Sequence, residues 1–177
     1  MHTQSEFASF EETVLPYLDA AYNLARWLTR NEADAEDVVQ EAVLRALRYF
    51  GAFRQGTDGR PWLLGIVRHT CYTWMRRNRA RDLLIPLDDS HDPESPDLSP
   101  EELLLQNADK QVVRLALEEL PIEFREVVVL RELEGMSYKE IAEVINLPIG
   151  TVMSRLARAR KRLQQSLTGH MHAEVRG

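Results

Sequence analysis

Apolar residues return at helical spacing along most of this chain, and polar, glycine-rich and proline-rich stretches interrupt them. Between Phe10 and Thr29 they fall at Val14, Leu15, Leu18, Ala21, Tyr22, Ala25 and Leu28. That spacing predicts a helix with Pro16 near its start, where proline is tolerated. Asn31 to Asp34 reads as a turn and restart. A second helix follows from Asp34 to Phe50, with Val38, Val39, Ala42, Val43, Leu44, Ala46 and Leu47 as a broad buried face. Gly51, Gly56 and Gly59 make residues 51–60 a loop. Pro61 opens a third helix, running from Trp62 to about Arg79, because proline suits a first helical turn. Three long helices with short connections make a bundle.

Pro86, Pro93, Pro96 and Pro100, set among aspartates and serines, mark residues 83–100 as a linker. Helical periodicity resumes from Glu101 to Glu119 (Leu104, Ala108, Val112, Leu115, Leu120) and breaks at Pro121. Ile122 to Glu134 is expected to be another helix, burying Phe124, Val127, Val128 and Leu130. Its run Val127 to Leu130 is read as helical from the polar neighbours Glu123, Arg125, Glu126, Arg131 and Glu132. The fold class is therefore all-α, with two small helical domains, an N-terminal bundle and a C-terminal four-helix domain, joined by a flexible acidic linker. The divisions expected are 10–81, a linker 82–102, 103–167, and a short tail 168–177 that frays.

The C-terminal domain carries the sharpest local pattern, a helix, a tight turn and a basic helix from Ser137 to Leu163. Ser137 caps the first helix, with Glu140 three residues on completing a capping box. Ala142 is small where two helices cross. Asn146 tolerates the left-handed conformation that ends a helix. Pro148 and Gly150 bar an immediate restart, and Thr151 is the expected cap of the next helix. That helix keeps Val152, Leu156, Ala159 and Leu163 on one side. Ser154, Ala157, Arg158 and Lys161 take the other, with Met153, Arg155, Arg160 and Arg162 on the flanks. One apolar stripe beneath small, polar and cationic residues suits a DNA major groove; the competing reading is an ordinary solvated basic helix.

Charge sharpens this picture. The formal net charge of −6 disfavours a nucleic-acid partner on average, but the charges are segregated. Residues 54–81 hold seven arginines (54, 60, 68, 76, 77, 79, 81) against Asp58 alone. Residues 82–102 hold eight acids and no lysine or arginine. From Thr151 onward Arg155, Arg158, Arg160, Lys161, Arg162 and Arg176 face only Glu174. Two basic blocks around an acidic one imply two polyanion-binding surfaces joined by a segment that repels or imitates a polyanion. In the first block, Trp62, Tyr72 and Trp74 interleave with the arginines, the mixture of cations and flat rings that single-stranded nucleic acid requires. At least one of these rings is expected to be core instead. Asp34, Asp37, Gln40 and Glu41 line the exposed side of the second helix. They either favour its dipole or form a protein-docking surface.

No catalytic constellation stands out: there is no Ser/His/Asp or Cys/His set and no glycine-rich phosphate loop. The expectation is that the chain is not an enzyme and takes no cofactor, metal or small-molecule substrate. His170 and His172 fall short of the three or four positioned ligands a metal site needs. Cys71, the only cysteine, excludes an internal disulfide and reads as a small buried hydrophobe. No signal peptide is read at the N-terminus and no run approaches the ~18 apolar residues of a membrane span, so a soluble, cytoplasmic protein is expected.

Over nearly its whole length the chain resembles the extracytoplasmic-function (ECF) sigma factors, small two-domain members (group 4) of the sigma-70 family. Three blocks carry the resemblance: residues 34–41 (DAEDVVQE), residues 62–68 (WLLGIVR) through Arg76 and Arg77, and residues 137–142 (SYKEIA) with 150–160 (GTVMSRLARAR). The resemblance implies a factor that directs RNA polymerase core to promoters. Asp34, Asp37, Gln40 and Glu41 would dock on the clamp helices of the largest subunit, and the C-terminal domain would meet the flap of the second-largest. Phe53, Arg54, Arg60, Trp62, Arg68, His69, Arg76, Arg77 and Arg79 would engage and help melt the −10 element, the loop 53–60 bordering a pocket for a flipped base. Thr151, Met153, Ser154, Arg155, Ala157, Arg158 and Lys161 would contact the −35 element. The acidic linker would follow the basic path meant for nucleic acid, and an anti-sigma protein is an expected partner. The chain departs from the family in having His69 where Asn is common, Thr73 where Asp is frequent, and Met153 and Ala157 where longer groups are usual. A helix-turn-helix regulator that does not bind polymerase would explain residues 137–163 equally well, but neither the Arg/Trp helix nor the acidic linker.

Overall fold

The computed structural model describes residues 4–84 and 108–176. Among them every regular element is helical. Helices α1 (Gln4–Val14) and α2 (Leu18–Thr29) are separated by a 3-10 turn at Leu15–Tyr17, and α3 is Glu32–Arg48. A second 3-10 turn, Phe50–Ala52, leads to α4 (Gly59–Leu84). The second half comprises α5 (Ala108–Glu119), α6 (Ile122–Val128), α7 (Tyr138–Ile145) and α8 (Ile149–Arg176). α6 passes directly into a π turn at Val129–Leu133. The expected linker, 82–102, lies outside the described residues except at Asp82 to Leu84, which continue α4.

Local chemistry explains where the helices start and stop. The expected helix from Phe10 begins earlier, at Gln4, and breaks at Pro16, which has no N–H to give and clashes with the preceding turn. Arg30 ends α2 in the left-handed conformation, φ 58°. Asn31 caps α3, its side-chain oxygen accepting from the Asp34 N–H at 3.0 Å. Gly59 starts α4 hard against α1: a Cβ there would lie 2.5 Å from Thr13 Cγ2 and 2.7 Å from the Thr13 carbonyl oxygen. Only glycine permits that approach.

The N-terminal helices bury Ala21, Leu24 and Leu28 of α2, Ala35, Val38, Ala42 and Ala46 of α3, and Leu63, Leu64, Val67 and Cys71 of α4. Leu44, expected in the buried face, is 65% exposed. In the second half Leu115 is exposed, and Ala116 and Leu117 are buried in its place. Val127, Val128 and Leu130 are buried as the sequence suggests, while Phe124 is half-buried. Arg125 and Glu126, read as polar flanks, are buried with them. The backbone of α8 is helical to Arg176, past the boundary expected at 167.

The two halves also pack on each other and share one hydrophobic core, which runs from Phe10 and Val14 to Leu156 and Ala159. α4 lies along α7, and α2 meets α6. Polar contacts close the seam. Asn23 Nδ2 donates to Glu134 Oε1 at 2.7 Å, and Arg30 donates across the seam to the Glu118 carbonyl oxygen at 3.3 Å, which also accepts from Arg125 of its own half at 3.2 Å. Cations at the last turn of α5 meet the negative end of its dipole. Burial and the nearby Arg30 pull the Arg125 guanidinium down to about 10.

Cys71 has no exposed surface, and burial pushes its thiol up to about 12. A thiol that is neither ionised nor reachable does not attack. An aromatic disulfide reagent should therefore leave the native protein unlabelled over minutes and label it at once in denaturant. Prompt labelling of the native chain would contradict the burial.

Candidate nucleic-acid interface

The helix-turn-helix forms as its residue types require. Ser137 Oγ accepts from the Glu140 N–H at 3.1 Å, and Glu140 Oε1 accepts from the Ser137 N–H at 3.2 Å. This reciprocal pair is the capping box. Asn146 ends α7 at φ 56°, ψ 47°. Thr151 is not the cap of the next helix. α8 already begins at Ile149, and the N–H groups of Thr151 and Val152 bond to the Pro148 carbonyl oxygen. Pro148 thus closes the first turn, since proline just before a helix loses no needed donor.

α8 buries Val152, Leu156 and Ala159 and exposes Ser154, Ala157, Arg158 and Lys161. Those four share one face at spacings of three and four residues. Met153 beside them is 52% exposed and Thr151 is half-buried. The flanking arginines differ in their freedom. Arg160 Nη2 bonds Glu132 Oε1 at 2.9 Å, and the Arg162 guanidinium lies 4.9 Å from the Phe124 ring centre. Arg155 turns inward, its Nη1 3.7 Å from Glu126 Oε1. Arg158 makes no ion pair among the described residues, so its guanidinium is available to a base edge.

The second basic surface follows α4. Arg76, Arg77, Arg79 and Arg81 are exposed at its far end. Arg77 approaches Glu41 of α3 at 3.8 Å. At the near end a set of rings forms a base: Phe50 meets Phe10 edge-on at 5.4 Å, stacks on Phe53 at 5.7 Å, and Phe53 meets Trp62 at 4.9 Å. Phe53 is a core residue within this set, and Trp62 is half-buried above it. Tyr72 and Trp74 are also half-buried, so no ring of the interleaved pattern is free on both faces. Arg54 is exposed in the loop, whereas Arg60 reaches Glu140 of α7 at 3.0 Å and the Glu134 carbonyl oxygen at 3.2 Å. The Glu140 bond holds Arg60 above its usual pKa. Burial alone would raise Glu140, but Arg60 and Ser137 outweigh it and hold the carboxyl below its usual range.

Between α3, α4 and α7 lies an open cleft of about 380 Å³ bordered by Tyr49, Trp62, Ile66, His69, Glu143 and Val144. Two of the −10 candidates, Trp62 and His69, therefore face a wall of the C-terminal half. Sequence reasoning did not anticipate Glu126. Its carboxylate, without exposed surface, accepts from Arg68 Nε at 2.7 Å, Arg68 Nη2 at 3.1 Å and the Tyr72 hydroxyl at 3.1 Å. Burial raises the Glu126 carboxyl and the bonds from Arg68 pull it back. Burial likewise raises Tyr72, which also feels the Glu126 charge.

On α3, Asp37 and Gln40 are exposed and Asp34 and Glu41 are half-buried. Burial, helped by the Asp37 charge, raises the Asp34 carboxyl. Glu41 bonds Arg45 at 2.8 Å. With exposed Leu44 one turn on, these three acids and one amide form the edge of a mixed polar and apolar strip. No described helix is long and apolar enough to cross a membrane.

Comparison with known proteins agrees with this layout. Residues 13–81 match the Sigma-70 region 2 family and residues 110–163 the Sigma-70, region 4 family. The chain is 36% identical over 169 residues to the ECF RNA polymerase sigma factor SigE of Mycolicibacterium smegmatis, covering 94% of this chain and 65% of that protein. It is 32% identical over 166 residues to the RNA polymerase sigma-H factor of Pseudomonas aeruginosa, covering 90% and 86%. Among solved structures, the sigma factor RpoE in complex with the anti-sigma factor NepR from Bartonella quintana aligns with TM-score 0.72 and 30% identity, over 90% of this chain and 97% of that one. CnrH, in complex with the cytosolic domain of CnrY, aligns with TM-score 0.65 and 26% identity, over 92% and 89%.

Proposed function

Because this chain belongs to the extracytoplasmic-function group of the sigma-70 family, we propose that its two helical halves divide promoter recognition between them while docked on RNA polymerase core. The polymerase supplies the chemistry and this chain supplies the address. It acts where polymerase and chromosome are, in the cytoplasm. One observation carries the reading: an arginine-bearing helix with a ring base and, after it, a basic helix with a free Arg158 face lie on one chain, within the segments that match regions 2 and 4 of the family.

In the C-terminal half, α8 enters the −35 major groove. Ser154 and Arg158 read base edges, Met153 and Ala157 offer apolar contact, and Thr151, Arg155 and Lys161 bond phosphates or bases. In the N-terminal half, Arg76, Arg77 and Arg79 hold phosphates of the −10 strand, joined by Arg54, Arg60 and Arg68. Trp62 and His69, above Phe53, border the site for an extruded base, whose unstacking costs a few kcal/mol that ring contact offsets. Asp34, Asp37, Gln40 and Glu41 dock on the clamp helices, and the C-terminal half on the flap. An anti-sigma protein is a fitting partner, since the aligned RpoE is in complex with one.

The test is run-off transcription with purified core polymerase on a genomic promoter library. The wild-type chain should yield discrete start sites that core alone does not. The doubly substituted Asp37→Ala, Gln40→Ala chain should lose polymerase co-purification about tenfold while keeping its helical content, because both residues are exposed and make no core contact. No transcripts from the wild-type chain, or full polymerase binding by the double variant, would overturn the assignment.

A further inference from the structure

Outside the two basic helices, arginines also gather where α2 and α5 end. Arg26, Trp27, Arg114 and Glu118 line a cleft of about 170 Å³. Arg30, which ends α2, and Arg125 of α6 both donate to the main-chain carbonyl of Glu118. The one carboxylate lining the cleft is already engaged, since Glu118 Oε1 accepts from Arg114 Nε at 3.2 Å. Arg26, Arg30 and Arg125 make no ion pair among the described residues.

Arg125 shows that this group is short of negative charge. It is 4% exposed, and its Nε has no hydrogen-bond partner. A buried guanidinium is ordinarily paired with an acid. Here it has a carbonyl on one side and the Arg30 charge nearby, while exposed Glu123 attracts it only weakly. The competing explanation is that the arginines simply answer the negative ends of two helices. Against the guanidinium groups of Arg26, Arg30, Arg114 and Arg125, the ends of α2 and α5 supply about half a negative charge each and Glu118 about one, so about two positive charges stay uncompensated.

We propose that this cleft is a binding site for a phosphoryl anion, a phosphate or diphosphate group held by the Arg26, Arg30 and Arg114 guanidinium groups against Trp27, with Arg125 adding charge from behind. Guanidinium forks match phosphate oxygens two at a time. The cleft is smaller than the roughly 300–1,000 Å³ that whole drug-sized ligands occupy. It therefore takes a phosphoryl group, free or at the end of a nucleotide, and not an entire cofactor. The site is independent of the sigma-factor reading and uses none of the residues assigned to promoter or polymerase.

Isothermal titration calorimetry of the full chain with sodium pyrophosphate, free of divalent cations, reads the site. One anion should bind per chain with a Kd on the order of 100 µM or tighter, as two or three charge-assisted contacts support after the cost of immobilising the ion. At a hundredfold excess over Kd the melting midpoint should rise by roughly 5–10 °C. Arg26→Gln and Arg114→Gln should each weaken binding by at least about tenfold. Their midpoints without the anion should stay near the wild type, because glutamine suits a helix and the Arg114–Glu118 surface pair contributes little. Glu118→Gln, which removes the competing carboxylate, should bind more tightly. ADP in place of pyrophosphate separates the two sources: a tighter Kd assigns the base to Trp27, and an equal one assigns the phosphoryl groups alone.

No heat and no midpoint shift at about 10 mM pyrophosphate, the weak end of specific binding, would overturn the site. So would wild-type affinity in both arginine variants, since the anion would then lie on α4 or α8. An equal midpoint shift from sodium chloride at matched ionic strength would reduce the effect to screening and overturn it as well.

Discussion

Replacing Arg158 by alanine should lower −35-dependent run-off transcription by about ten- to a hundredfold and leave polymerase binding unchanged. The magnitude follows from the 1–3 kcal/mol that a bidentate guanidinium contact to a base contributes. The residue is singled out by the freedom of its side chain. Arg160 is bonded to Glu132, Arg162 rests on the Phe124 ring, and Arg155 is turned toward Glu126. Arg158 alone of the four helix arginines from 155 to 162 projects without such a tie among the described residues. Its removal leaves no buried group unpaired, so thermal stability should stay within about 0.5 kcal/mol of the wild type. Transcription from altered −35 sequences should fall less, because a lost base contact relaxes discrimination at its own position. Equal loss on every sequence would make Arg158 a phosphate contact instead.

The contrast between Arg158 and Arg155 shows what a sequence can and cannot display. The capping box of Ser137 and Glu140 and the left-handed Asn146 were legible because each is decided within four residues. The exposed face of α8 was legible for the same reason: a stripe of Val152, Leu156 and Ala159 leaves the rest outward. Thr151 was misread as a cap because Pro148 can close the first turn itself, a competition that residue types alone do not resolve. Pro16 was placed in a helix whose periodicity runs through it, whereas its missing N–H divides α1 from α2. Leu44 and Leu115 fit the helical period but lie where no second helix packs.

Glu126 is the deepest of these cases. Among Glu123, Arg125, Arg131 and Glu132 it looked like one more solvated charge, and those charges were the reason for reading the segment as a helix with a polar face. Its partner is Arg68, 58 residues away. No local pattern announces a pairing across that distance. The same holds for the contact of α4 with α7: the sequence divides into two domains with an acidic segment between them, and the division itself says nothing of whether they meet. The family blocks mark the proposed surfaces along the chain and are silent on their being turned toward each other.

A different kind of loss is expected from Leu156→Ala. Leu156 lies one turn from Val152 on the buried side of α8 and is 1% exposed. Truncating a fully buried leucine costs about 2–5 kcal/mol, through lost transfer energy and the cavity left behind. For a chain of this size each kcal/mol shifts the melting midpoint by roughly 2–4 °C, so a drop on the order of 10 °C is expected by differential scanning calorimetry. Because α8 carries the proposed −35 contacts, transcription should also fall, and it should recover at low temperature where the helix is populated. Arg158→Ala should show the opposite signature, a transcription defect independent of temperature with an unmoved midpoint. Leu156→Met, which nearly conserves volume, should cost less than about 1.5 kcal/mol and restore both readouts. If Leu156→Ala left the midpoint in place, the stripe that seats the reading helix would not be the support that the burial of Val152, Leu156 and Ala159 makes it.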